Sequence, residues 1–225
     1  MTNTLHRYGG YEDQADDFII FMMPTKGIND GKAVEKQKDF LRRAVKHGPV
    51  NLGDATKGGW YRSSKSLNPL VHWRRPQKPS AQEVIEGVDA PTTVSAVFDN
   101  LEALEAFVEE LREADLGLSV NISALTDKAA QCCRKAGFER HSVEYSLGFQ
   151  GKALDRLPDR STLELSTMCG HGMISFAFAR KMIDWVKAGR RTPEEASRYL
   201  ARFCVCGIFN PTRAVRILER ARTRN

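Results

Sequence analysis

Apolar and polar positions alternate along this chain in short blocks, and the blocks read as strands and helices taking turns. Residues 17–23, DFIIFMM, form a continuous apolar run closed by Pro24-Thr25-Lys26-Gly27. A run this short, bounded by a turn, predicts a buried strand. Residues 1–16 are polar and predict irregular chain. Val34, Phe40, Leu41 and Val45 recur at helical spacing over 32–47, and Gly48-Pro49 stops that helix before a second short strand at 50–53. A third strand is expected at 93–98, followed by a helix over 100–114 with Asp99 as its cap and Glu102 at the capping-box position. Leu118, Val120, Ile122 and Ala124 alternate with polar residues, the mark of a half-buried strand. Thr126 caps a short helix to 136, on which Cys133 shares a face with Ala129 and Ala136 and so reads as a small core residue. Alternation at 141–149 and at 162–168 predicts two more strands.

Beyond 168 the period changes. Ile174, Phe178, Met182 and Trp185 share one face of a long apolar helix over 172–188, and Gly189 ends it. Thr192-Pro193-Glu194-Glu195 starts another helix with its own capping box, and Asn210-Pro211 starts the last. Arg213, Arg216, Arg220 and Arg224 fall on the outer side of that last helix. The expected architecture is α/β: a mixed sheet of five or six strands with packed helices, plus a C-terminal three-helix segment. Four stretches follow from it: a strand-helix-strand unit at 1–54, a connector or lid at 55–92, an α/β core at 93–168, and a helical segment at 169–225.

Composition changes this picture little. A chain of 225 residues, 41% hydrophobic and 28% charged, has room for a substantial core. No apolar run is long enough to span a bilayer and residues 1–11 carry no apolar leader segment, so a soluble, cytoplasmic protein with no membrane partner is expected. Charge adds more. The net charge is +6, and residues 175–225 hold twelve Arg/Lys against four Asp/Glu. Residues 55–82 hold six Arg/Lys and no acid, interleaved with Trp60, Tyr61, Trp73 and three prolines. Such a segment either grips phosphates and bases or pins a loop to the core, and the pinned loop is the favoured reading.

The chemistry concentrates in two short segments, Met168-Cys169-Gly170-His171-Gly172 and Cys204-Val205-Cys206-Gly207, which hold three of the five cysteines. In a reducing compartment these are ligands, nucleophiles or core fillers rather than a disulfide frame. Cys169, His171, Cys204 and Cys206 make a complete set for one Zn2+, and thiolates equally suit an iron–sulfur cluster. Gly170, Gly172 and Gly207 would let the backbone approach the cofactor, with Lys26, at the end of the first strand, as a further contact. The one-residue gap in Cys-x-Cys is narrower than the usual zinc knuckle.

The first segment resembles the Met-Cys-Gly-His motif of the proline racemase family. That resemblance implies a helix-tip cysteine, here Cys169, that abstracts or returns an α-proton, with His171 beside it. It covers five residues. The family's second cysteine follows an Asp-Arg-Ser segment; Asp159-Arg160-Ser161 is present here and no cysteine follows it. The likeness is a shared local solution, a helix-tip thiol beside an imidazole.

The leading expectation is therefore a metalloprotein built on these four ligands, leaning to an enzyme that acts on a small molecule. The alternatives are a metal-free cysteine acid/base enzyme using Cys169 and His171, and a regulatory protein with a structural zinc that binds nucleic acid or phosphate through its basic segments. Simple packing of the cysteines is the plain alternative to all three.

Overall fold

The computed structural model describes residues 7–61, 80–145 and 154–223. Its centre is a five-stranded sheet of β1 (Phe18–Met23), β2 (Asn51–Asp54), β3 (Gly58–Gly59), β4 (Val94–Phe98) and β5 (Ser119–Ser123), in the order β3-β2-β4-β1-β5. Every pairing is antiparallel, with Ile20 opposite Ala96 on one side and Ile122 on the other. Helix α1 (Tyr11–Gln14) precedes β1, α2 (Ala33–Lys46) joins β1 to β2, α3 (Ala81–Glu86) precedes β4, α4 (Leu101–Ala114) joins β4 to β5, and α5 (Thr126–Lys135) follows. Without the two-residue β3, the connectivity is β-α-β-β-α-β with strand order β2-β4-β1-β5, the split β-α-β of ferredoxin-like topology. That topology carries no function by itself.

The two faces of the sheet bury different things. Phe18, Ile20 and Met22 of β1, Val94, Ala96 and Phe98 of β4 and Leu52 of β2 meet Phe40, Leu41, Leu104, Phe107 and Val108 from α2 and α4. Ile19, Phe21 and Val97 point the other way, into a second core made by the C-terminal helices. These are α6 (Arg160–Thr167), α7 (Phe176–Lys187), α8 (Pro193–Ala201) and α9 (Pro211–Thr223). Burial on both faces explains why β1 is apolar at every position instead of every second one. Strand β5 lies at the edge, mostly uncovered, and keeps the alternating pattern.

Several expectations change. The stretch 162–168 is helical, not a strand: the Asp159 carboxylate accepts the Thr162 amide and starts α6. Thr162 through Ser166 are all buried, so alternation of Leu163 and Leu165 with polar residues marked no exposed face. Residues 141–145 form no strand, and 146–149 lie outside the described residues. Helix α7 starts later than Gly172, where Ser175 caps it, and α4 is capped by Asn100 instead of Asp99. On α5 it is Cys132 that is fully buried, while Cys133 is half-buried. Most of the basic 55–82 segment also lies outside the described residues. Among the described residues no helix is long and apolar enough to cross a membrane.

Candidate thiol and imidazole site

Two turns carry the site. The first, 168–175, links α6 to α7; the second, 202–210, links α8 to α9. Both are shaped by glycines in the left-handed region, Gly170 (φ 72°), Gly172 (φ 66°) and Gly207 (φ 75°). Gly207 is explained by packing. Its turn lies flat on the sheet, where a Cβ on Gly207 would stand 2.6 Å from the Gly53 nitrogen and the Leu52 carbonyl. Reciprocally, a Cβ on Gly53 would stand 2.8 Å from the Cys206 carbonyl oxygen. Side chains of the sheet complete the dock: Ser95 Oγ donates to the Cys206 carbonyl (2.6 Å) and Asn51 Nδ2 to the Phe209 carbonyl (2.8 Å).

The docked turn brings the sequence-predicted residues together. His171 is exposed at the surface, and its Nδ1 stands 3.6 Å from the Cys206 sulfur, which is buried. The Cys204 thiol donates a hydrogen bond to the Cys206 sulfur, and Cys169 is near enough to both for their charges to interact. Each sulfur also meets backbone amides. Met173 donates to Cys169 Sγ at 3.1 Å, with the His171 and Ile174 amides directed at the same atom. The amides of Phe209 and Ile208 serve Cys204, and that of Ile208 serves Cys206. Amides around sulfur favour thiolate over thiol.

Burial works against these amides. It pushes Cys169 up and, together with the hydrogen bond donated to Cys206, pushes Cys204 far above the ordinary thiol range. Cys206 is drawn below that range, first by the bond from Cys204. Arg7 is close enough to Cys204 for the two to interact electrostatically. Among the described residues, no group of three or more His, Cys, Asp or Glu side chains is placed so that it could hold a metal ion. Lys26 is exposed in the turn after β1, and no described hydrogen bond or ion pair takes it to the cysteines. Neither of two cavities reaches the thiols: one of about 570 Å3 runs along β5, and one of about 470 Å3 lies on α7.

Behind the thiols lies a buried ion cluster that the sequence did not announce. Arg213 is not on an outer face; it is one of the most buried side chains, because Asp17 at the head of β1 needs a partner. Arg213 Nη1 donates to Asp17 Oδ2 (2.8 Å), Nη2 donates to the Tyr8 carbonyl (2.8 Å), and Asn210 Nδ2 donates to Asp17 Oδ1 (3.0 Å). Arg7 pairs with the same carboxylate at 2.7 Å, so two guanidinium groups share one carboxylate. The only advance sign was an acid placed directly before the apolar run of β1. Two more arginines of α9 are committed, Arg216 to Asp16 and Arg220 to Asp13 and Glu164; no described ion pair within 4 Å takes a carboxylate to Arg222. Arg224 lies outside the described residues. The chain matches no family model, no curated protein and no solved structure.

Proposed function

We propose that Cys206, His171, Cys204 and Cys169 bind one soft divalent metal ion, and that the bound ion locks the C-terminal helices to the sheet. The observation that carries this reading is the 3.6 Å separation of Cys206 Sγ and His171 Nδ1. With Zn–S near 2.3 Å and Zn–N near 2.0–2.1 Å, a tetrahedral ion sets a sulfur and a nitrogen ligand about 3.5 Å apart. In a four-iron cluster the ligands bind different irons and stand farther apart, so this contact fits two ligands sharing one metal, a single ion such as Zn2+ or one iron of a two-iron cluster. Amide donors at each sulfur, and two buried arginines against one buried carboxylate, supply the positive surroundings that thiolate ligands need.

The ion would stabilise the fold rather than react, since four protein ligands fill a tetrahedral ion and leave no position open to a substrate. His171, at the surface, is the ligand through which exchange with solvent would occur. A cytoplasmic setting, where thiols stay reduced, suits the reading.

The test is elemental analysis of protein purified anaerobically, with thiol titration before and after chelation. One equivalent of zinc is expected, with His171→Ala and Cys206→Ser each reducing it and the chelated protein exposing three new thiols. Metal-free protein whose thiols alkylate at ordinary rates would overturn it. The same 3.6 Å contact supports one other reading, a metal-free acid/base pair of Cys206 and His171. Metal-free protein with a single fast-alkylating thiol, slowed by His171→Ala, would select that reading.

A further inference from the structure

The cations of the C-terminal segment fall into two groups. Three arginines of α9, together with Arg160, are spent on carboxylates: Arg213 on Asp17, Arg216 on Asp16, Arg160 and Arg220 on Asp13 and Glu164. Five of the α7–α8 hairpin are not. No described ion pair within 4 Å takes a carboxylate to Arg180, Lys181, Arg190, Arg191 or Arg198. Aromatic rings hold several of the hairpin's cations instead. Lys181 Nζ lies 4.9 Å from the centre of the Trp185 ring. Arg191 lies 5.8 Å from both Trp185 and Tyr199, and Arg202 lies 5.1 Å from Tyr199. The five side chains form a continuous ladder across both helices. Trp185 and Tyr199 pack half-buried on the core, so the charges sit on the outer side.

We infer that this outer face of α7 and α8 binds the phosphate backbone of nucleic acid. A ring contact fixes a cation without neutralising it, which lowers the ordering cost when a phosphate arrives. The Nε of Arg191 is buried and has no hydrogen-bond partner. Beside the ladder lies a shallow depression of about 470 Å3, where Arg180, Lys181 and Arg190 face the single carboxylate of Asp184. The ring contacts run from Lys181 on α7 through Trp185, Arg191 and Tyr199 to Arg202 at the end of α8, so these cations are spread along the hairpin and not gathered on one point. Charge spread in this way over two helices fits a polymer of phosphates better than a single small anion. With its rings half-buried and capped by cations, the hairpin offers charge without a stacking platform, so it reads phosphates and not bases. Nothing in this inference depends on the metal.

The test uses the full chain and a labelled DNA duplex of mixed sequence, about 20 base pairs long, titrated by fluorescence anisotropy from about 50 to 200 mM salt. Binding in the micromolar range is expected, with log K falling linearly against log salt and with no sequence preference. The exposed double reversal Lys181→Glu/Arg190→Glu should weaken binding about tenfold or more and flatten the salt slope by about two units. Lys181→Gln/Arg190→Gln should give an intermediate loss. The equal-charge control Lys32→Glu/Arg134→Glu, on exposed residues of the sheet half, should leave the slope unchanged. Three outcomes would overturn the inference: no binding by the unaltered protein at the lowest salt, an equal loss in the control, or binding to anionic lipid vesicles without binding to the duplex.

Discussion

Gly207 and Gly189 share a backbone conformation and differ in surroundings, which separates two physical effects. Both have φ near +70°, but a Cβ on Gly189 meets nothing within 4 Å, whereas one on Gly207 meets backbone of β2 at 2.6 Å. Gly189→Ala should therefore cost only the left-handed strain, about 1 kcal/mol. Gly207→Ala should add overpacking of about 1–3 kcal/mol, because two backbones cannot move apart as a side-chain end can. Urea denaturation of the two variants measures the difference, and equal losses would mean that the turn does not lie on the sheet. The sequence pointed to Gly207 correctly and for another reason: its neighbours are cysteines, so closeness to a cofactor was expected, while the partner is Gly53, more than 150 residues earlier. That the two segments meet was legible because each sets cysteine and glycine at the start or end of a helix. Which thiol faces His171 was not legible, since that depends on how the second turn docks on Ser95 and Asn51.

At the scale of elements, charge clusters tie the layers together. Helix α9 is fixed through Arg213, whose removal leaves the buried Asp17 with Arg7 as its one described cation and Asn210 as its neutral donor. Arg213→Ala should cost about 3 kcal/mol, whereas Arg216→Ala, at a half-exposed pair, should change stability by less than about 1 kcal/mol, both read from urea midpoints. Two carboxylates bridge elements and give an acid limb. Burial tends to raise Asp13, but the bonds from Arg220 and Arg160 outweigh it and hold it at about 2. Glu110, between α2 and α4, is likewise held at about 2, burial being outweighed by bonds from Lys46 and His47. A carboxyl depressed in the folded state contributes its stability in full above its unfolded value of about 4 and loses it as pH falls toward about 2. Stability should fall across that window, and Glu110→Gln should flatten the fall while lowering stability at neutral pH. Among the elements themselves, β1, β4, α2, α8 and α9 were legible because period, cap and length agreed. Helix α6 was not, because its polar residues are buried too: Glu164 is fully buried against Arg160, one turn before it, and Arg220, and the second partner comes from α9, outside any local window.

Across the whole molecule, one sheet serves two cores, and the turn that carries Cys204 and Cys206 is where they meet. Ile19, Phe21 and Val97 lie under the C-terminal helices, while their neighbours Phe18, Ile20 and Phe98 lie under α2 and α4. Loosening the turn therefore should not stay local. Its carbonyls accept from Ser95 of β4 and Asn51 of β2, and its glycine rests on Gly53, so each contact is made with strand residues rather than with helices of its own half. On the metal reading, removing the ion leaves three buried sulfurs whose burial and mutual contact disfavour the charged form, and their surroundings must relax. Amide hydrogen exchange on chelated protein should then show faster exchange in 168–175 and 202–210, and also in β2 and the adjoining part of β4. The far layer, α2 and α4, should keep its protection, because Phe40, Phe98 and Phe107 hold it through a ring cluster on the opposite face. Acceleration confined to the two turns would mean that the ion holds only its own loops, and that the sheet is fastened to the C-terminal helices by apolar burial and the Asp17 cluster alone.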